Sequence, residues 1–304
     1  MTTLYLSHPD CQKHVMHPQH PESPARLAAI EEAVNAERWQ DKLERRQVQE
    51  INTQYLANIH PQHYLDFLAD LKPGEGTAPI DGDTSINQYS LRAAKLAAGA
   101  GIQAVEAIML AQFSNAFCAV RPPGHHAESV MGMGFCVFNS VALAAERALS
   151  LGAERVAILD FDVHHGNGTV EIFKDRPEVL VCSSFQYPFY PGRFDTIERP
   201  NICLTPLAEA TASSAFRQAI EQSWLPALSR HRPDIILVSA GFDAHRDDPL
   251  AGLLLEDSDY LWLGQLIRSL ADELAGGRVV SLLEGGYNVE ALARSVEKYL
   301  IGSA

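Results

Sequence analysis

The sequence RVAILDFDVHHGNGT, at residues 155–169, joins an uninterrupted apolar run to acidic side chains, histidines and glycines. A continuous apolar run, rather than an alternating one, is typical of a strand buried on both faces of a parallel sheet. Similar runs occur at residues 116–120, 179–185, 201–207, 234–243 and 278–286. We therefore predict at least six buried parallel strands.

Helical patterns separate these runs. Apolar residues recur with helical spacing at residues 90–110, 138–152, 215–231 and 259–277. Strands that alternate with helices predict an α/β fold, in which helices cover both faces of a parallel sheet. Because parallel α/β proteins often keep about 300 residues in one core, we expect a single domain over residues 1–304.

The charge balance excludes some classes of partner. Lys and Arg number 24 against 38 Asp and Glu, a formal net charge of −14. A negative net charge argues against binding to a nucleic-acid backbone, which is itself negatively charged. The chain begins without the features of a signal peptide, and it contains no uncharged apolar run of about 18 residues. We therefore expect a cytoplasmic protein with no nucleic-acid and no membrane partner.

Polar side chains follow four of the predicted strands. They lie in RPPGHH (121–126), DFDVHHGNG (160–168), AGFDAH (240–245) and EGGYN (284–288). In parallel sheets, ligands bind at the carboxyl ends of the strands. The sequence therefore predicts one site at which all four segments meet. The long irregular stretch at residues 71–85 is predicted to lie at its rim.

A metal site is indicated within these segments. Asp160, Asp162 and His164 alternate along an extended chain, so their side chains leave the same face. Asp243 ends another apolar run, where a carboxylate is costly unless it is paired or bound to metal. Asp162, His164 and Asp243 would leave coordination positions open, which is typical of catalytic zinc. Fe²⁺ is the alternative, because two of the three ligands are oxygen atoms.

Groups for proton transfer accompany the metal ligands. His125 and His126 are candidates for a general acid and base. Tyr287 follows two glycines, and its phenol is a candidate donor to a developing oxyanion. Each of these side chains, taken alone, is more often structural. Together with a metal that acidifies water and polarises a carbonyl, they indicate hydrolysis.

The motifs RPPGHHA, GFCVFN, DFDVHHGNGT, AGFDAHRDDPLAG and EGGYN, in this order, resemble the zinc-dependent histone deacetylase superfamily. The resemblance is to its class II and bacterial amidohydrolase-like branch, and it runs from about His20 to Tyr287. It implies the arginase/deacetylase fold, with a parallel sheet of about eight strands. It also implies a metal-dependent amidohydrolase with one zinc ion per chain.

The resemblance assigns a role to each polar side chain of the site. The implied zinc ligands are Asp162, His164 and Asp243. The implied catalytic group consists of His126 as general base with Asn167 behind it, His125 as a charge-stabilising neighbour oriented by Asp160, and Tyr287 as the oxyanion donor.

A narrow tunnel for the substrate is also implied. Phe135 and Tyr190 would form its walls, and the carbonyl group of Gly134 would accept a hydrogen bond from the substrate amide. Leu250 would lie at the rim, where polyamine deacetylases of the eukaryotic type carry Glu. Tyr190 replaces the usual Phe, and Asn167 stands where the class I branch has Asp. The partner of His126 is therefore neutral in this chain.

Two further features follow from the resemblance alone. A structural K⁺ would be bound by Asp160 and by backbone oxygens around Asp162, His164 and Ser183. Arg26 would line an inner cavity that releases the carboxylate product, although a surface ion pair is another interpretation of this arginine.

The preferred function is removal of an acetyl or related short acyl group from Nε-acyl-lysine in proteins or peptides. Deacetylation of acetylpolyamines or another small acylated amine would use the same chemistry. A two-manganese ureohydrolase would need a second cluster of Asp and His ligands, which residues 125–127 do not supply. A protein that only binds acylated partners would have no use for groups that stabilise developing charge. No prediction of oligomeric state follows from the motifs.

Overall fold

Parallel strands pair into a central sheet. The computed structural model describes residues 2–304 of the chain. The strands are β1 (Thr3–Ser7), β2 (Leu43–Gln47), β3 (Ala78–Pro79), β4 (Ser85–Ile86), β5 (Asn115–Ala119), β6 (Val156–Asp160), β7 (Val179–Gln186), β8 (Ile202–Leu207), β9 (Ile235–Ala240) and β10 (Val279–Leu283). Within the described residues, the main sheet has eight strands in the order β2-β1-β5-β10-β9-β6-β7-β8, all parallel. β3 and β4 form a separate antiparallel hairpin.

Helices connect and cover these strands. They are α1 (Pro24–Val34), α2 (Thr53–Leu56), α3 (Gln62–Asp70), α4 (Ser90–Met109), α5 (Ser140–Ser150), α6 (Asn167–Phe173), α7 (Ser213–His231), α8 (Asp257–Leu274) and α9 (Val289–Ser303), with 3-10 helices at Pro9–Lys13 and Glu37–Trp39. The four helices predicted from the sequence correspond to α4, α5, α7 and α8. Across residues 2–304, none of the helices combines the length and the apolar character that a bilayer crossing requires.

Helices lie on both faces of the sheet, as contacts of β10 demonstrate. The Ser281 hydroxyl lies 2.8 Å from the Tyr299 hydroxyl of α9. The next residue, Leu282, packs against Gly101 of α4, where a methyl group would lie 3.0 Å from its Cδ2 atom. Because successive side chains of a strand point to opposite faces, α9 and α4 cover opposite faces. The predicted α/β architecture, a single α/β domain with an eight-stranded parallel sheet, is confirmed.

All six strands predicted from apolar runs are present in the main sheet, and β1 and β2 are additional to them there. The sequence of β2 is LERRQ, and Leu43 is its only buried residue. This strand is at the edge of the sheet, next to β1. Charged residues are common on edge strands because they discourage pairing with other chains. An edge strand of this kind therefore has no apolar run by which it could be recognised.

The irregular stretch at residues 71–85 reaches the site, as predicted. It contains β3 and the start of β4. The Thr84 hydroxyl accepts a hydrogen bond of 2.9 Å from the Phe135 backbone N–H, and Asp83 Oδ1 accepts one of 3.1 Å from Gly134. The stretch is thereby attached to the segment that was predicted to wall the tunnel.

Candidate active site

Four neighbouring strands carry the predicted site residues. β5, β10, β9 and β6 are adjacent in the sheet, and each is followed by one of the four polar segments. Since the strands are parallel, their carboxyl ends lie at one edge. The predicted convergence of the four segments is a direct consequence of this strand order.

Asp162, His164 and Asp243 form a compact cluster. Their candidate ligand atoms all lie within 4.8 Å of one another. Asp162 Oδ1 and Asp243 Oδ2 each lie 3.1 Å from His164 Nδ1. Both aspartates are about 1 % exposed. Two buried carboxylates that face a single imidazole nitrogen favour a positive charge between them, so the donor set fits a divalent cation.

The pKa values of the cluster residues also indicate that a positive charge is stabilised here. Burial, together with the charge of Asp162, raises the pKa of Asp243 to about 7. Burial disfavours the charged form of His164, but hydrogen bonds with Asp162 and Asp243 outweigh it and raise the pKa of His164 to about 10. A proton is therefore strongly attracted to the place where a metal ion would be bound.

Backbone groups hold the two carboxylates in position. The N–H of His164 donates to Asp162 Oδ1 at 2.9 Å, and the N–H of Gly285 donates to Asp162 Oδ2 at 2.8 Å. The N–H of Val163 donates to Asp243 Oδ1 at 3.0 Å. These three backbone donors orient both carboxylates.

Gly285 leaves room that the carboxylates require. A methyl group at this position would overlap Asp243 Oδ2 and would also approach Asp162 Oδ2. We expect Gly285→Ala to displace both carboxylates, because the atoms nearest to the new methyl group all belong to them. A displacement of about 1 Å near the reacting atoms is enough to lower turnover by about 100-fold.

This prediction is checked by kcat and by the number of metal ions bound per chain. Gly76→Ala is the matched control, because a methyl group there would meet only the Pro73 carbonyl oxygen at 3.7 Å. A Gly285→Ala protein with unchanged turnover and unchanged metal content would contradict the packing argument.

His125 and His126 lie side by side with different partners. Nδ1 of His125 is 2.9 Å from Asp160 Oδ2, and Nδ1 of His126 is 2.8 Å from Asn167 Oδ1. The ring centroids are 4.0 Å apart. Both predicted pairings, His125 with Asp160 and His126 with Asn167, are therefore present as contacts.

The environments of the two histidines shift their pKa values in opposite directions. Burial disfavours the charged form of His125, but the charges of Asp160 and Asp162 outweigh it and raise its pKa well above the usual value. Burial, with the charge of His125, lowers the pKa of His126 well below the usual value. The surroundings thus favour the charged form of His125 and the neutral form of His126, an arrangement suited to acid and base roles.

A cavity of about 100 Å³ lies beside His126 and His164. It is lined by Asp83, His126, Gly134, Phe135, His164, Tyr190, Leu250 and Tyr287. All four predicted substrate-binding residues belong to this lining. A wider groove of about 510 Å³ beside α2, α3 and α4 is lined mainly by aliphatic and amide side chains, so cavity size does not identify the site.

The cavity walls are aromatic. The Tyr190 ring meets the His126 ring edge-on with centroids 5.3 Å apart, and Phe135 meets Tyr287 in the same way at 5.8 Å. Gly134 has φ +56°, and a methyl group there would overlap the imidazole of His126. The Gly134 carbonyl accepts a hydrogen bond of 3.3 Å from the Cys136 thiol.

Tyr287 is held by three neighbours. Its backbone N–H donates to Asp248 Oδ2 at 2.6 Å, its ring faces Phe135, and the guanidinium of Arg26 lies 5.0 Å from its ring centroid. Burial raises the pKa of the Tyr287 phenol well above its usual value, so the hydroxyl remains a donor.

Arg26 is fully buried, which excludes the interpretation as a surface ion pair. Its Nε donates to the Gly286 carbonyl at 2.6 Å, and its Nη2 donates to the Glu284 carbonyl. Its Nη1 lies 3.2 Å from Glu22 Oε1. The arginine therefore braces the backbone that precedes Tyr287.

Several acidic residues of this region were not predicted from the sequence motifs. Asp83 lines the cavity mouth, and Asp248 accepts hydrogen bonds from the backbone of Leu250, Tyr287 and Asn288. Glu284 accepts from the backbone of His125 at 3.1 Å, and burial raises its pKa to about 7. Glu284 and Asp248 do lie within the quoted motifs, which is the signal that could have identified them.

Comparison with known proteins agrees with the geometry. The family description "Histone deacetylase domain" matches residues 20–302. A "Histone deacetylase-like amidohydrolase" of Pseudomonas aeruginosa is 37% identical over 277 residues, which cover 88% of this chain and 73% of that protein. "Histone deacetylase 10, chloroplastic" of rice, Oryza sativa subsp. japonica, is 39% identical over 300 residues, covering 91% of this chain and 68% of that protein.

A solved structure is also similar. The crystal structure of the HDA15 HD domain superposes with a TM-score of 0.92 at 31% sequence identity, covering 100% of this chain and 91% of that chain. Both the family match and the structural match include every strand end that carries the site. This chain belongs to the histone deacetylase family and is a hydrolase of that family.

Proposed function

We propose that this protein removes short acyl groups from Nε-acyl-lysine in peptides or proteins by zinc-dependent amide hydrolysis. The observation that carries this proposal is that His164, which forms a cluster with Asp162 and Asp243, lines the same cavity as His126 and Tyr287. A narrow, largely aromatic cavity suits an extended aliphatic side chain that ends in an amide.

The proposed ligands are Asp162, His164 and Asp243. When bound there, zinc supplies Lewis acidity toward a carbonyl oxygen and lowers the pKa of water. His126 is neutral and takes a proton from the attacking water at its Nε2 atom, then donates it to the departing lysine amine. The charged ring of His125, oriented by Asp160, stabilises negative charge next to it.

The phenol of Tyr287 donates a hydrogen bond to the substrate carbonyl oxygen as negative charge develops there. Phe135 and Tyr190 exclude water from the methylene groups of the substrate, and Leu250 contacts it at the rim. We assign the substrate amide N–H to the Gly134 carbonyl, as the resemblance implies. The products are the free amine and the carboxylate of the acyl group.

A second candidate substrate is an acetylpolyamine or another small acylated amine. The observation in its favour is Asp83, an exposed carboxylate at the cavity mouth, which would attract a second amino group. Leu250 at the same mouth weighs against a dedicated site for such a charge. We therefore rank acyl-lysine first.

The proposal also includes the identity of the metal, a structural K⁺ and the location of the protein. Fe²⁺ is the alternative to zinc, because two of the proposed ligands are carboxylates. A structural K⁺ is proposed near Asp160 and Ser183, which are register partners in β6 and β7. A cytoplasmic location is proposed from the sequence, and the rice relative, by contrast, is named chloroplastic.

A matched panel of substrates tests the function. Initial rates are measured on acetyl-, longer acyl- and hydroxyacyl-lysine peptides and on acetylspermidine, with and without a chelator, followed by add-back of Zn²⁺ or Fe²⁺. We expect turnover of lysine peptides that the chelator abolishes and the metal restores. Faster turnover of acetylspermidine would favour the second candidate. Hydrolysis of none of these amides by metal-loaded protein would contradict the proposed function.

A further inference from the structure

A second carboxylate lies behind the proposed general base. Asn167 connects the two: its Oδ1 is 2.8 Å from His126 Nδ1, and its Nδ2 is 2.8 Å from Glu128 Oε1. Asn167 is fully buried and Glu128 is about 4 % exposed. The three side chains thus form a hydrogen-bonded row that leads from the cavity toward the surface.

The surroundings of Asn167 determine which way its amide points. Its Nδ2 faces three acceptors: Glu128 Oε1 at 2.8 Å, the His126 carbonyl at 3.4 Å and the Met133 sulfur at 3.4 Å. A rotation of the amide by 180° would place Oδ1 against a carboxylate and a carbonyl. Because oxygen atoms without hydrogen repel one another there, the observed orientation is strongly preferred.

This orientation also determines the tautomer of His126. The Asn167 Oδ1 atom can only accept, so the neutral imidazole of His126 must carry its hydrogen on Nδ1. Its free electron pair is then on Nε2, and the His126 ring lines the cavity. The opposite tautomer would leave Nδ1 and Oδ1 as two facing acceptors inside the protein.

Arg193 holds the outer end of the row. Its Nε donates to Glu128 Oε1 at 2.7 Å, and its Nη2 donates to Glu128 Oε2 at 2.8 Å. A carboxylate that accepts both bonds of a guanidinium acts as an acceptor toward other groups as well. Arg193 follows Tyr190 by three residues, so one segment supplies a cavity wall and the anchor of Glu128.

We propose that Glu128 is a positioning residue which, held by Arg193, orients Asn167 and thereby keeps the hydrogen of His126 on Nδ1 and its electron pair on Nε2. The proposal rests on the proposed function in that His126 acts as the base. Asn167 transmits this orientation while it keeps the negative charge of Glu128 one amide group away from the imidazole.

Glu128→Gln tests the proposal, because a carboxamide can donate to Asn167 as well as accept from it. Both orientations of Asn167 then become accessible, and both tautomers of His126 with them. The tautomer is measured by ¹H–¹⁵N long-range correlation spectra of protein labelled at histidine nitrogen, with the His126 signal assigned from a His126→Gln sample. We expect the Nδ1–H form alone in the unchanged protein and a measurable Nε2–H fraction in Glu128→Gln.

The kinetic readout uses the substrate that the panel identifies. A base that carries its hydrogen on Nδ1 only part of the time lowers kcat in proportion, so we expect kcat to fall by at least the fraction of His126 that the spectra find as Nε2–H, with KM nearly unchanged. Glu178→Gln is the matched control, since Glu178 also accepts from both Nε and Nη2 of an arginine, Arg176, but lies outside the cavity lining. It should leave both the tautomer and kcat unchanged.

Arg193→Gln is the second variant and retains Glu128, which covers the case that Glu128→Gln does not fold. It should show the same change of tautomer to a smaller degree, with a smaller decrease in kcat. If both folded variants keep the pure Nδ1–H form, the proposal is wrong, whatever their kcat. The spectra need no substrate, so a failure of the proposed function and a failure of this inference are distinguishable.

Discussion

Tyr287→Phe should lower kcat by about 100- to 1,000-fold, the usual effect of removing one oxyanion donor. The backbone of Tyr287 is held by Asp248 and its ring is packed against Phe135 and Arg26, and none of these contacts involves the hydroxyl. The ring should therefore keep its place in the variant, and only the donor is lost.

Rates on the preferred acyl-lysine peptide and the metal content of the same preparation check this result. Because the hydroxyl acts on charge that develops during the reaction, KM and bound metal should remain close to those of the unchanged protein. Tyr89→Phe is the control, since Tyr89 is 44 % exposed and lies outside the cavity lining. Full activity of Tyr287→Phe would show that the oxyanion has a different donor.

Asp243→Asn should abolish metal binding and lower turnover by more than about 1,000-fold, because the chemistry assigned to the metal would be lost with it. The amide has nearly the shape of the carboxylate but carries no charge, so the cluster would retain Asp162 alone as its anion. His164 would also lose one of the two carboxylates that face its Nδ1 atom.

Metal per chain after dialysis, and thermal unfolding with and without added Zn²⁺, measure the effect. A ligand that binds only the folded state raises its stability, so zinc should raise the Tm of the unchanged protein and have little effect on Asp243→Asn. Asp175→Asn is the control, because this aspartate is 68 % exposed and pairs only with the surface residue Arg199 among its described neighbours. A variant that binds zinc normally would exclude Asp243 as a ligand.

The fold could be predicted where burial leaves a continuous apolar pattern. β6 and β9 are buried along their whole length, and their sequences contain almost nothing but apolar residues before the first aspartate. β2 could not be found in this way, because an edge strand with one buried residue has no such pattern. α9 was also missed, although it follows EGGYN directly.

The candidate site could be predicted in part for a similar reason. Asp162 and His164 are two residues apart, so the spacing predicts a common direction for their side chains. In the structure β6 ends at Asp160, and both residues lie in the bend that follows it. Asp83 and Glu128 have no comparable signal. Asp83 meets Gly134 from 51 residues away, and Glu128 meets Arg193 from 65 residues away. Local spacing carries no information about contacts between separate loops.

The amino-acid sequence by itself determined the parallel α/β fold, the four strand ends that carry the chemistry, and the identity of the candidate metal ligands and proton-transfer groups. Those properties depend on burial along strands and on short-range spacing. Both can be recognised in short segments of the sequence. Only the tertiary structure decided that β5, β10, β9 and β6 are neighbours, that His125 and His126 have opposite pKa shifts, and that Glu128 lies behind Asn167. Strand order, desolvation and contacts between distant loops arise when the whole chain packs, and no local pattern specifies them.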